Sequence, residues 1–197
     1  MKKFLPPLLM LLFGVHTVLH AQTADPDLVQ INEERITMNK NGMLILGSWA
    51  VGNIALGGFA MTQTSGNVKY FHQMNAAWNT VNLAIAGFGY YGLRNQSTAL
   101  SLSETIHEYH NFEKILLFNA GLDIGYMAIG AYLWERGIRT DSSRLRGYGQ
   151  SMILQGGFLF TFDVILYVLS RSQSSGLIDS LDNLQFSGNG LSFTIPF

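Results

Sequence analysis

The chain has no cysteine and little charge. Without cysteine there is no disulfide, no thiol nucleophile, no thiolate metal site and no lipid-modified cysteine of the bacterial lipoprotein kind. Charged residues make up 13% of the 197 residues, about half the share usual in a soluble domain. The net charge of −1 leaves no basic field for nucleic acid and no acidic tail, so nucleic acid is not expected as a partner. A Gly-rich phosphate loop is missing, and Arg146-Gly147-Tyr148-Gly149-Gln150 is too generic to stand in for one. No Ser-His-Asp set and no nucleophile elbow occurs. These absences leave no basis for a catalytic residue or a cofactor, and they favour a non-enzymatic protein.

What the chain does have is apolar length. Hydrophobic residues make up 48%, and the mean hydropathy is +0.19. Residues 1–21 read as a cleavable signal peptide. Lys2 and Lys3 form its charged start, residues 5–18 its apolar stretch, and Leu19-His20-Ala21 its cleavage site. The apolar stretch is short for a full span. Four apolar runs follow, at about 42–61, 74–93, 115–133 and 151–169, none containing Lys or Arg. Each has about the 20 residues that a hydrocarbon core of ~30 Å requires. The expected fold is one all-α domain (22–172), a four-transmembrane-helix bundle. A Ser-rich linker and a C-terminal tail (173–197) follow it. In the tail, Leu184, Phe186, Leu191 and Phe193 alternate around Ser187-Gly188-Asn189-Gly190, a hairpin pattern.

A cleaved signal puts the mature N-terminus outside. The loops after the first and third runs are then cytoplasmic, and they hold Lys69, Arg136, Arg139, Arg144 and Arg146. The Arg group beside two span ends favours both termini outside the cytoplasm of a bacterial inner membrane. Trp49, Tyr90, Tyr91, Tyr132 and Trp134 supply interface anchors. Ser101-Leu102-Ser103-Glu104 is a capping-box pattern, which predicts a helix running from there to about residue 134 with its first turns projecting outside. Residues 27–40 predict a polar helical approach to the first span, and Asp141 or Ser142 can cap the fourth helix. Together the projecting turns predict a small polar cap over the outer face.

The informative residues are the polar ones within the runs. They are Asn53, Asn75, Asn79, Asn82, Asn119, Asp123, Gln155 and Asp163. In hydrocarbon an unpaired polar group costs several kcal/mol, so each must face the bundle interior. Their spacing agrees. Asn75, Asn79 and Asn82 share a helix face at i, i+4 and i+7, Asn119 and Asp123 stand at i and i+4, and Gln155 and Asp163 lie about 80° apart around one helix. Counted at 1.5 Å per residue from the outer ends, Asn53 and Asn82 lie about 16 Å deep, Asp123 about 12 Å and Asp163 about 9 Å. The alternating chain direction thus gathers them into one layer. Gly121 and Gly125 form a G-x-x-x-G, with Gly57, Gly87, Gly89, Gly156 and Gly157 in other runs, and such residues predict close helix approach. Two readings of the layer follow. Amides that both donate and accept can fix helix register. Asp123 and Asp163, with no Lys or Arg in the runs to neutralise them, can instead serve as a proton or cation site.

Weaker signals lie in the outside turns of the third helix. Glu104 and His107 have the i, i+3 spacing of a carboxylate-bridged metal site, with Glu108, His110, Glu33 and Glu34 nearby. A solvated charged face explains the same residues. The metal assignment therefore stays open.

Phe118-Asn119-Ala120-Gly121-Leu122-Asp123, Gly147-Tyr148-Gly149 with Gln155-Gly156, Phe162-Asp163, and the segment from Asn183-Leu184 to Gly190-Leu191 carry a family likeness. Through them nearly the whole mature chain resembles a family of small four-helix membrane proteins of Bacteroidetes-type bacteria, a domain of unknown function. The resemblance implies the helical fold and an envelope location, and it transfers no activity and no site residues. The expected role is a structural or accessory subunit of a cell-envelope complex. Lipids and either a second copy or an envelope partner would be its contacts. A small proton- or cation-linked channel or transporter is the alternative, and a membrane enzyme the third reading.

Overall fold

The computed structural model describes residues 25–182, 184–187 and 190–193, with side chains through residue 177. The signal peptide therefore lies outside the described residues. The fold is all-α in its body, with four helices, α1 (Pro26–Gln63), α2 (Gly66–Leu93), α3 (Leu102–Arg139) and α4 (Ser143–Asp182). Two short strands, β1 (Leu184–Ser187) and β2 (Gly190–Phe193), pair antiparallel with Leu184 opposite Phe193 and Ser187 opposite Gly190.

The helix starts follow local chemistry. The Asp25 side chain accepts from the Asp27 N–H, and Pro26 takes the first helical position, where a missing N–H costs nothing. At α3 the capping box is complete: the Ser101 hydroxyl accepts from the Glu104 N–H, and the Glu104 carboxylate accepts from the Ser101 N–H. Donation to the Glu104 carboxylate from the Ser101 hydroxyl at 2.7 Å, and then from the Ser101 N–H at 2.8 Å, holds that carboxyl below its usual range. Between α3 and α4, Asp141 adopts φ 50° in the left-handed region, and the Ser142 hydroxyl accepts from the Leu145 N–H. The turn before α2 places Gly66 at φ 60°, a conformation glycine adopts without strain.

Helices of 38, 28, 38 and 40 residues measure about 57, 42, 57 and 60 Å. All exceed a hydrocarbon core of ~30 Å. Three helices among the described residues are long and apolar enough to cross a membrane: α1, α3 and α4 as far as Leu177. Only 17, 22 and 28% of their most apolar windows are buried, whereas a soluble core helix would cover such a window. Phe88 is 80% exposed, Leu56 70% and Phe118 68%. Contiguous apolar surface on this scale marks contact with lipid or a partner.

The run at 74–93 does not stand among those three helices. Its amides lower its mean hydropathy, yet α2 buries Asn75, Asn79 and Asn82 and turns Val81, Ile85 and Phe88 outward. A second departure concerns the Ser-rich linker. The helix does not stop at Arg171 but continues to Asp182. The Ser174 hydroxyl donates to Glu113 at 2.8 Å, and Gln173 accepts from the Tyr109 hydroxyl at 3.4 Å. Contacts with α3 thus hold a stretch of weak helix formers in helical form.

α1 packs along α2, α3 packs along α4, and α2 packs against α4. α1 meets α3 and α4 only slightly, and α2 and α3 do not pack backbone to backbone. Glycines set the close crossings, but not the pair the sequence singles out. Gly121, Gly125 and Gly87 have nothing within 4 Å of where a Cβ would stand, so the G-x-x-x-G makes no helix contact within the bundle. Other glycines are packed. A Cβ on Gly57 would lie 2.8 Å from the His72 carbonyl oxygen, one on Gly130 2.8 Å from the Gly149 carbonyl oxygen, and one on Gly156 2.7 Å from Met127 Cγ.

Candidate functional site

The structure sorts the polar residues of the apolar runs into two groups. The first is a circuit of amides. The Trp49 indole N–H donates to Gln155 Oε1 at 3.0 Å. The Gln155 amide donates to Asn75 Oδ1. Asn75 Nδ2 donates to Asn53 Oδ1 at 2.6 Å, and Asn53 Nδ2 returns to the Trp49 carbonyl oxygen at 2.8 Å. The loop runs from α1 through α4 and α2 back to α1. Gln155 is fully buried and Asn75 is 4% exposed, so the bond between them closes in a low dielectric, where an unmade one is costly. Asn79 extends the circuit along α2 by donating to the Asn75 carbonyl oxygen at 2.8 Å, and Asn82 donates to Asn79 Oδ1 at 3.4 Å.

Trp49 is the residue that pattern reading misplaces. As an interface anchor its indole would point to headgroups. Instead its ring stacks on Phe158 at 3.9 Å and its N–H is spent on Gln155. The available signal was its position one turn from Asn53 on the same face.

The second group is acidic. Asp123 on α3 and Asp163 on α4 face each other within hydrogen-bonding reach, and both are buried. Asp123 Oδ2 has no donor. Tight packing of Gly156 on the Asp123 carbonyl oxygen brings the two helices close enough for this pairing. Asn82, Asn119, Asp123 and Asp163 line a cavity of about 400 Å³ whose walls come from all four helices. It lies where α2 and α3 stand apart. Trp78 and Tyr126, both in its lining, meet edge to face with 4.9 Å between ring centroids. Val81, Ile85, Ile115 and Leu122 line it and are also exposed, so the cavity opens sideways between α2 and α3. Of the eight polar residues in the apolar runs, then, Asn53, Asn75, Asn79 and Gln155 belong to the circuit, Asn119, Asp123 and Asp163 to the cavity, and Asn82 to both.

A third polar site joins the stretch of α1 before its apolar run to the first turns of α3. The Arg35 side chain is 2% exposed. It donates through Nε to Asn32 Oδ1 at 3.1 Å and through Nη1 to Gln96 Oε1 at 3.3 Å, and it pairs with Glu108 at 3.5 Å. Asn32 donates in turn to the Thr105 hydroxyl at 2.8 Å. Burial pulls the Arg35 pKa down while Glu108 raises it, and burial pushes the Tyr109 phenol up. Neither composition nor any motif marks Arg35 as central. The signal lay in spacing: Asn32, Arg35 and Asn39 fall at i, i+3 and i+7 on α1, facing Thr105, Tyr109 and Glu113 at i, i+4 and i+8 on α3. With Glu104 in the capping box and Glu108 on Arg35, two of the residues considered for a metal already have other partners. No group of three or more His, Asp or Glu among the described residues is placed to hold a metal ion.

Fold and site together define a four-helix protein with helices apolar enough to cross a membrane and polar groups gathered inside. The chain belongs to the family of unknown function DUF6992, whose model matches residues 45–164. That stretch contains the amide circuit, both acidic residues and most of the cavity lining. No curated protein and no solved structure matches the chain.

Proposed function

We propose that this chain is a non-enzymatic integral membrane protein serving as a structural or accessory subunit of a cell-envelope complex. It would cross the bacterial inner membrane four times with both ends outside the cytoplasm. The observation that carries this reading is the closed amide circuit. Each side chain in it bonds another helix or its own backbone, as groups that fix register do. The broad apolar surface suits lipid and a protein neighbour together. A pull-down from mild detergent is the test: a stoichiometric partner is expected, and recovery of the chain alone would overturn the subunit role. Topology has its own check. A reporter fused after Arg139, in the turn between α3 and α4, should stay in the cytoplasm, and its export would reverse the orientation.

One observation favours the second reading, a small proton- or cation-linked channel or transporter. Asp123 and Asp163 stand outside the circuit, against a cavity, with no basic residue among its lining. A facing carboxyl pair in a dry site needs a shared proton or a cation between its oxygens. If the pair is structural only, Asp123→Asn and Asp163→Asn leave thermal stability and phenotype nearly unchanged. If it is an ion site, either change abolishes ion-dependent stabilisation and flux in proteoliposomes.

A further inference from the structure

The cavity between α2 and α3 has a chemistry that neither reading uses. It joins an acidic pair to aromatic and aliphatic walls. We propose that it binds a lipophilic organic monocation, an alkyl- or arylammonium or a phosphonium, that arrives sideways from the bilayer. This rests on the membrane placement above and on neither reading of the chain's role.

The charge argues for a cation. Asp123 is part of the cavity wall and is 3% exposed, and its buried Oδ2 has no hydrogen-bond partner, so the wall holds acceptor capacity that the protein leaves unused. Asp163 faces it from α4. No Lys, Arg or His lines the cavity, so no protein cation competes for the pair.

The walls argue for an organic one. A hydrated inorganic ion needs several oxygen ligands in a shell. Here the side-chain carbonyl and carboxylate oxygens come from Asn82, Asn119 and the two acids alone, and the rest of the lining is aliphatic or aromatic. Trp78, Phe112, Tyr126 and Phe162 add four aromatic rings, and aromatic faces attract organic cations, more strongly when desolvated. A volume of about 400 Å³ falls within the range of small-molecule sites. The sideways opening past Val81 and Ile85 suits a molecule that partitions into lipid.

The test uses the full chain extracted in maltoside micelles and isothermal titration with three probes. Methyltriphenylphosphonium carries rings and charge, triphenylphosphine oxide the same rings without charge, and tetramethylammonium the charge without rings. The phosphonium should bind one per chain, at least tenfold tighter than either of the others. Asp123→Asn should weaken it tenfold or more. Ile85→Trp, which narrows the opening without touching an acid, should weaken it comparably while the melting temperature holds. The proposal is overturned by equal binding of the neutral oxide, by binding that survives both substitutions, or by no saturable binding to a folded chain. Failure of the membrane placement would show separately, as chain recovered in the aqueous fraction without detergent.

Discussion

Gly149→Ala is expected to drive α3 and α4 apart and lower stability by at least 1–3 kcal/mol, the usual cost of overpacking. A Cβ there would press into the Gly130 carbonyl oxygen and the Trp134 backbone nitrogen, and would stand 2.9 Å from Trp134 Cα. Every one of these is a backbone atom, so no side chain can turn away to make room. Gly147, two residues earlier, faces the other neighbour. Its Cβ would press into the Asn67 carbonyl oxygen and lie 2.6 Å from the Phe71 nitrogen. Successive glycines about 200° apart on one helix therefore dock α4 on α3 with one face and on α2 with the other. The double change should cost more than either alone, since α4 links the α1–α2 pair to α3. Gly121→Ala and Gly125→Ala are the controls. With open space at both, helix propensity alone decides, and stability should rise by about 0.5–1 kcal/mol per site. Thermal unfolding of the purified variants in detergent measures all four. An unchanged melting temperature for Gly149→Ala would mean that the crossing is looser than described.

The contrast between these glycines shows what the sequence can and cannot carry. Spacing along one helix announces which residues share a face, because the period of 3.6 is local. Hence Asn75, Asn79 and Asn82 were legible as a buried stripe, and the Ser101 to Glu104 pattern as a helix start. What a face meets depends on the neighbouring helix, and nothing within one run encodes that. Gly121 and Gly125 match the small-residue motif yet look outward, while Gly147-Tyr148-Gly149 looks generic and holds two crossings. The polar layer shows the same limit. Depth counting gathers the polar residues of four helices into one layer but cannot separate a circuit that satisfies itself from an acidic pair that does not, since that depends on which hydrogen bonds close across helices. The run past Arg171 misled for a related reason. Its serines are weak helix formers alone, and the contacts that support them, to Glu113 and Tyr109, come from α3.

The Arg35 site should prove as sensitive as the crossings. Arg35→Ala is expected to cost about 3 kcal/mol, through a cavity and lost hydrogen bonds together. Arg35 is the largest of the fully buried side chains, so truncation removes packing on a scale comparable with a core Leu or Met. It also strips a charged donor from Asn32 and Gln96. Glu108 contributes little to this cost, because its side chain is 40% exposed and water can solvate it once the partner is gone. Glu108→Gln should accordingly change stability by no more than about 1 kcal/mol, as for surface ion pairs. Arg35→Lys should recover only part of the loss, since one ammonium cannot reach in the directions that the guanidinium serves through Nε and Nη1 at once. The ordering Ala, then Lys, then wild type, with Glu108→Gln near wild type, would identify Arg35 as a packed hydrogen-bonding hub. If Glu108→Gln costs as much as Arg35→Ala, the ion pair and not the buried fork holds α1 to α3. Asn32→Ala then separates the two accounts further, because it removes the Asn32–Thr105 bond and the Arg35 Nε acceptor while leaving Glu108 in place.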